Sequence, residues 1–367
     1  MKIAKKESIT NIQQHKLLDI CSMKRIELEK LLKNLGESSF RGRQLFRWLW
    51  KPFVYDFSKM TDLSTPIRTT LNNISFLYRL EPVKILTSKD GTVKIAWRLR
   101  DGNIIESVFI PEGKRKTICV STQVGCAMGC KFCNTARMGF IRNLTTSEIC
   151  LQVLGIIEWL LKERPEELPV RNIVFMGMGE PLLNYDNLMK AIDILTDDLG
   201  FNFSKRKITV STCGIVPKIE QLGQDTNVKL AISLHAPDND IRSRLMPINE
   251  RYPLEVLMDV VKRYPISPRN WVTFEYLLIK GINDSINQAK KLARLLKGIK
   301  CKINLIPYNK IDKNDQFNSP SWDQVLAFQR VLLEENFTSI IRKSRGQDID
   351  AACGQLFVSL TGIYKKE

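Results

Sequence analysis

Three cysteines fall in one short stretch of the chain, Cys126-Ala-Met-Gly-Cys130-Lys-Phe-Cys133. This C-x3-C-x2-C spacing lets three thiolates converge on one inorganic centre. Thiolates are the usual ligands of iron–sulfur clusters, which ordinarily take four of them. Three cysteines on a cubane cluster leave one iron open. That iron could bind the amino and carboxylate groups of S-adenosylmethionine and pass an electron to its sulfonium. The alternative is a zinc knot, which needs a fourth ligand to close a tetrahedron. No histidine lies close in sequence, so Cys119 or Cys150 would have to serve.

A second constellation follows the apolar run at 171–176. In Met176-Gly177-Met178-Gly179-Glu180-Pro181 the glycines allow backbone to approach a ligand, and the Glu180 carboxylate could pair with an ammonium group. Ser211, Ser233-Leu234-His235 and Asn309 recur just where later strands should end. Serine and asparagine there also suit helix caps, and His235 suits either a core hydrogen bond or a ligand contact. By pattern alone, Cys119 reads as a core residue of a short apolar strand, Cys353 as a small buried side chain, and Glu106 as an exposed strand residue.

These residues need a frame. From about Ser22 to Asn73, apolar residues recur at three- and four-residue steps, as in RIELEKLLKNLG and FRGRQLFRWLW, with Gly36 as a helix end. Residues 1–78 therefore read as a helical accessory domain, with Phe46, Trp48 and Trp50 in its core and His15 a solvated residue of its polar N-terminal segment. Residues 79–116 alternate apolar and polar positions around Asp90-Gly91 and Asp101-Gly102, which predicts a small extension of three antiparallel strands. Beyond Lys116 the rhythm is strand, loop, helix. Strands are expected at 117–122, 171–176, 206–211, 228–233, 271–278 and 301–306. Helices are expected near 146–162, 186–197, 215–222, 252–263, 285–297 and 320–336, and a last strand at 337–342. Six βα units in series predict an α/β fold, an open, partial (βα)6 barrel over 117–345 whose reactive residues gather at the C-terminal strand ends. Residues 346–367 form a tail.

Composition narrows the partners. Fifty-six Lys and Arg against 39 Asp and Glu give a net charge of +17, which favours a polyanionic partner, and basic residues concentrate in FRGRQLFRWLWK, PEGKRKT, FSKRKIT and IRKSRG. No stretch reaches the roughly 18 apolar residues of a membrane span, and the N-terminal residues lack the apolar core of a signal peptide. A cytoplasmic protein with no membrane partner is expected. An odd number of cysteines, nine, in a reducing compartment argues for ligands, catalytic thiols and core fillers over a disulfide framework.

The cysteine spacing followed by βα repeats resembles the radical S-adenosylmethionine (radical SAM) superfamily. Ser121–Cys126, Gly139–Leu144, Met176–Pro181, Ser233–Pro237 and Asp350–Leu356, in this order, resemble the dual-specificity 23S rRNA and tRNA adenine-C2 methyltransferases (RlmN type). The wider superfamily usually has Gly-Gly-Glu where this chain has Gly-Met-Gly-Glu. The resemblance implies one [4Fe-4S] cluster per chain on Cys126, Cys130 and Cys133. It implies S-adenosylmethionine, two molecules per turnover, with contacts from Gly179, Glu180, Ser211, Ser233, Leu234, His235 and Asn309. It further implies that Cys353 carries the methyl group as S-methylcysteine, that Glu106 is the base, and that Cys119 closes a transient disulfide with Cys353. The partners implied are 23S rRNA, tRNA and an electron donor such as flavodoxin, with the chain a monomer. Cys21, Cys150, Cys213 and Cys301 match no required role. Two other readings stay open: a C8-adenine rRNA methyltransferase of the chloramphenicol–florfenicol resistance type, and a non-catalytic zinc-stabilised RNA-binding protein.

Overall fold

The computed structural model describes residues 17–51, 54–268, 270–311 and 315–357. His15 lies outside them. The described residues divide into two compact units, one running to Arg79 and taking in Asp197–Asn202, the other comprising Leu80–Thr196 and continuing from Phe203.

The first unit begins with β1 (Leu18–Asp19), then α1 (Arg25–Asn34) and α2 (Ser39–Trp50), and closes with α3 (Thr65–Ile74) and β2 (Ser75–Phe76), which pairs in parallel with β1. Gly36 ends α1 in the left-handed region, φ 87°. Gly42 lets α2 cross α1 closely, because a Cβ there would stand 2.4 Å from Glu29 Cα. Leu28, Leu32, Leu45, Phe46, Leu49 and Trp50 are buried, and Trp48 is half-buried with its indole N–H donating to Asp62.

The second unit is built on one open sheet, ordered β14-β13-β12-β11-β10-β9-β6-β5-β4-β3. Its antiparallel part is β3 (Glu81–Thr87), β4 (Val93–Arg98), β5 (Ile104–Glu112) and β6 (Arg115–Cys119). β6 is the hinge of the topology, antiparallel to β5 and parallel to β9, so the extension and the βα part share one sheet. Between β6 and β9 the chain makes β7 (Gln123–Gly125), α4 (Asn134–Arg137), β8 (Phe140–Asn143) and α5 (Thr146–Glu163). A capping box starts α5: Thr145 Oγ1 accepts from Glu148 N, and Glu148 Oε2 accepts from Thr145 N.

The parallel part continues through β9 (Asn172–Phe175), α6 (Tyr185–Thr196), β10 (Ile208–Thr212), α7 (Val216–Asp225) and β11 (Lys229–Ser233). Next come α8 (Asn239–Leu245), α9 (Ile248–Arg251), α10 (Leu254–Arg263) and β12 (Val272–Leu278). The unit ends with α11 (Ile286–Leu296), β13 (Cys301–Pro307), α12 (Trp322–Glu334) and β14 (Thr338–Ile341). All of β12 is buried, the continuous pattern of a strand covered on both faces. In α11, Ala289, Leu292, Ala293 and Leu296 make the single buried stripe of a helix lying on a sheet. No helix among the described residues is long and apolar enough to cross a membrane.

The strands and the longer helices fall where periodicity puts them, within a few residues. The β7–β8 pair and the short helices α8 and α9 were not expected. Glu106 is a correction: expected on an exposed strand face, it is 5% exposed, because the segment after β14 folds back over β4 and β5.

Candidate active site

Most of the expected site residues gather near the C-terminal ends of the parallel strands, but not all of them share one cavity. One cavity, about 170 Å³, is lined by Cys126, Cys130 and Cys133 with Gly179 and Glu180, Ser211, Ser233, His235 and Cys353. Leu234 is fully buried beside it and is not on its wall, its N–H donating to Glu275 O at 3.0 Å. Asn309 lines a smaller cavity that shares Cys353 and Arg342 with the first. Cys119 and Glu106 are buried and line neither cavity.

The cysteine loop springs from the antiparallel pair β7–β8. Gly125 must be glycine: its φ is +71°, and a Cβ would stand 1.8 Å from Gly139 O, the carbonyl that accepts the Cys126 N–H at 2.8 Å. Lys131 N donates to Leu245 O, fastening the loop to the end of α8, and Phe132 packs edge-on against His235. On its other side the loop grips the Cys353 segment. Asn134 N donates to Gly354 O at 2.7 Å, and Thr135 Oγ1 to Leu356 O at 2.7 Å.

Burial pushes the Cys126 thiol up to about 12 and raises Cys130 and Cys133, with neighbouring thiols adding to the effect on Cys126 and Cys130. Two thiolates on a single zinc ion can stand no more than about 4.6 Å apart, given a Zn–S bond near 2.3 Å. As they stand, no three His, Cys, Asp or Glu side chains among the described residues are grouped to hold a single metal ion. Cys126, Cys130 and Cys133 line one cavity wall, and three thiols there fit the cysteine ligands of an iron–sulfur cluster.

Glu180 is fixed by its own backbone surroundings. Its Oε1 accepts from Leu182 N at 3.1 Å and its Oε2 from Cys213 N at 2.8 Å, while its N–H donates to Gln123 Oε1. Burial raises its pKa, and these N–H donors work in the opposite direction. Gly179 permits the close approach: a Cβ would meet Gln123 Cβ at 2.4 Å. A buried acceptor with lone pairs left over on the cavity wall suits a cationic amino group.

His235 sits in the left-handed region, φ 59°, and its Nδ1 accepts from Leu277 N at 3.0 Å. The ring is therefore the neutral tautomer carrying its proton on Nε2, and burial pulls its pKa down to about 3. Asn309 Nδ2, 6% exposed as a residue, finds no acceptor among the described residues, which leaves a buried donor free for a ligand.

Three residues that sequence reasoning did not place at this site complete it. Arg242 is fully buried and donates to Cys213 O (2.7 Å), Ser233 O (3.3 Å), Leu234 O (3.2 Å) and Asn249 Oδ1 (2.9 Å), tying together the ends of β10 and β11. Burial lowers its pKa to about 10. Cys213, which the resemblance gives no role, also lines the main cavity. Arg342 borders both cavities with its Nη1 3.5 Å from Glu275 Oε2; burial opposes its charge, but Cys353, Glu275 and Cys119 outweigh that and raise its pKa.

All nine cysteines are free thiols, and Cys353 is the exposed one. Burial pushes Cys119 up to about 12, the nearby Cys353 adding to it. Glu106 Oε1 pairs with Lys94 Nζ at 3.0 Å, and Oε2 accepts from Phe357 N at 3.0 Å. Burial raises its pKa against the opposing pull of Lys94.

The family model for the radical SAM superfamily matches residues 120–293, and that for the ribosomal RNA large subunit methyltransferase N-terminal domain matches residues 18–77. The chain is 50% identical over 339 residues to the dual-specificity RNA methyltransferase RlmN of Syntrophus aciditrophicus (strain SB), covering 92% of this chain and 96% of that protein. To the protein of the same name from Desulfotalea psychrophila (strain LSv54 / DSM 12343) it is 48% identical over 343 residues, covering 92% and 94%. A crystal structure of a radical SAM methyltransferase from Sphaerobacter thermophilus superposes with a TM-score of 0.86 at 42% identity, covering 92% of this chain and 99% of that one.

Proposed function

This chain belongs to the RlmN family of radical SAM RNA methyltransferases, and from that premise we propose that it methylates C2 of adenosine in the peptidyl-transferase region of 23S rRNA and beside the anticodon of tRNA. The observation that carries this reading is the shared cavity: the exposed thiol of Cys353 lines the same wall as Cys126, Cys130, Cys133 and Glu180. An ordinary methyltransferase needs no such thiol. C2 of adenine lies between two electron-withdrawing nitrogens, so it is a poor nucleophile toward a methyl donor. A carbon parked on sulfur and delivered as a radical avoids that demand.

Cys126, Cys130 and Cys133 would hold a [4Fe-4S] cluster, leaving one iron for S-adenosylmethionine, whose amino group Glu180 would accept. Gly179, Ser211, Ser233, Leu234, His235 and Asn309 would line or back the cofactor's site. Bound there, the cluster and cofactor would supply a methyl group, an electron and a hydrogen-abstracting radical. Cys353 accepts the methyl group on Sγ from a first cofactor molecule and gives up its thiol proton. With the bound cofactor supplying hydrogen-atom abstraction from that methyl group, Cys353 would deliver the carbon to C2 and so be covalently joined to RNA. The adduct then carries one electron in excess, which the oxidised cluster would be there to take back, and Glu106 would take the C2 proton. Cys119 then attacks the Cys353 sulfur, the S–S bond forming as the S–C bond breaks and the released carbon gaining a proton. An external reductant restores both thiols. A cytoplasmic monomer served by flavodoxin or a similar donor fits this cycle.

Mass spectrometry of nucleosides tests the reading. Unmodified 23S rRNA fragment and tRNA are incubated anaerobically with reconstituted protein, reductant and S-adenosylmethionine, alongside Cys353→Ala. Wild type should yield 2-methyladenosine and the variant none. 8-Methyladenosine would assign the chain to the resistance-type reaction, and zinc without sulfide or cofactor cleavage would return it to RNA binding alone.

A further inference from the structure

Lys94 is the second residue of β4, 7% exposed, and its ammonium has two acceptors at 3.0 Å: Glu106 Oε1 on the neighbouring strand and the Asp350 carbonyl. Glu106 in turn accepts the Phe357 N–H on its other oxygen. Asp350 and Phe357 lie on either side of Cys353. The two side chains thus form one relay, Asp350 O to Lys94 to Glu106 to Phe357 N, closing a clasp around the eight-residue loop that presents the thiol. Burying a charged lysine is unfavourable unless it is paired and hydrogen-bonded, so a lysine kept here is held by what it does for its neighbours.

We propose that Lys94 is a positioning residue for the methyl-transfer thiol: with Glu106 it fixes both ends of the Cys353 loop, so that carrier and base are set by one ion pair. This rests on the reading of Cys353 as the carrier. Neutralising either partner opens the clasp at a different end. Lys94→Met frees the Asp350 carbonyl and leaves Glu106 buried without its cation. Glu106→Gln keeps the side chain's size but has one oxygen where two donors now find acceptors.

The test has two readouts. The first is the rate at which Cys353 is methylated by S-adenosylmethionine without RNA, measured by mass spectrometry of the Cys353 peptide, with iron, sulfide and reductive cofactor cleavage followed in parallel. The second is deuterium exchange of amides across residues 350–357 in the holoprotein. In Lys94→Met, Cys353 methylation should fall at least tenfold and amide exchange across the loop rise about as much, while iron, sulfide and cofactor cleavage stay at wild-type levels. Exposed Lys84→Met, on the same hairpin, should change neither. Loop exchange and Cys353 methylation both at wild-type values in Lys94→Met would overturn the proposal. If Lys94→Met does not assemble a cluster, Glu106→Gln carries the same test on Phe357, with unchanged exchange again overturning it. If wild type never methylates Cys353, the carrier reading fails by itself, and the exchange data still decide whether the clasp exists.

Discussion

Phe132, between two of the cysteines, presents its ring edge-on to His235, with centroids 4.8 Å apart and planes at 83°. The cysteine loop and the end of β11 are thereby packed as one surface, and the protonation state of His235 becomes a condition of that packing.

That condition sets a pH dependence. The folded-state pKa of His235 is about 3, well below the ordinary histidine value near 6.5, because burial disfavours the cation. The stability this group contributes is fully present above about pH 6.5 and is lost as pH falls from there toward 3, by about 1.4 kcal/mol per unit. Urea unfolding of the cluster-free protein at pH 7 and pH 5 should show this slope, and His235→Gln should lack it. An identical slope in the variant would assign the acid sensitivity to other groups.

Arg242→Met should be among the most destabilising single changes in the chain. It removes the donor to three carbonyls and to Asn249 in a fully buried site, which predicts a loss of about 3–5 kcal/mol. Denaturant midpoints measure it. A loss under about 1 kcal/mol would mean that water replaces the guanidinium.

Gly125→Ala is predicted to act on the cluster rather than on RNA affinity. The new Cβ would collide with Gly139 O and break the β7–β8 pairing from which the cysteine loop springs. Iron content after reconstitution should drop severalfold, with stability down by about 2 kcal/mol or more from the strained φ and the clash. Full iron occupancy would show that the loop tolerates a shifted register.

Glu180→Gln should weaken S-adenosylmethionine binding. Losing a charged acceptor at a buried site corresponds to about 1.5–3 kcal/mol, or roughly 10- to 150-fold in Kd. Equilibrium dialysis with labelled cofactor on the cluster-loaded protein reads this directly, and an unchanged Kd would move the amino-group contact elsewhere.

Much of this architecture was legible in the residue pattern, and the exceptions share a cause. β9 to β14 announce themselves as apolar runs between helical repeats, so their order and approximate ends follow from periodicity. β7 and β8 are three and four residues long, too short for alternation to register, and are set by the Gly125–Gly139 approach. Lys94 and Glu106 sit in strands that read as half-exposed, yet β4 and β5 are buried almost throughout because a distant segment covers their second face. Arg242 looks like an ordinary polar residue of a short helix, and nothing local reveals that three carbonyls wait for it. Cys126, Cys130, Cys133, Glu180 and His235, which share one cavity, stood out in the sequence because their spacing and loop positions are local facts.

The tail's anchorage also orders events in time. Ser88 Oγ donates to Asp348 Oδ1 across 260 positions, and Gly346 N donates to Asp90 Oδ2 across 256. The hairpin turn between β3 and β4 emerges early during synthesis, whereas the partner that docks on it emerges after every strand of the sheet. Loop closure over such a separation comes late. A nascent chain can therefore assemble its sheet and cysteine loop while the Cys353 thiol is still far from both, so that sulfur joins the cavity only after the rest of its wall has folded.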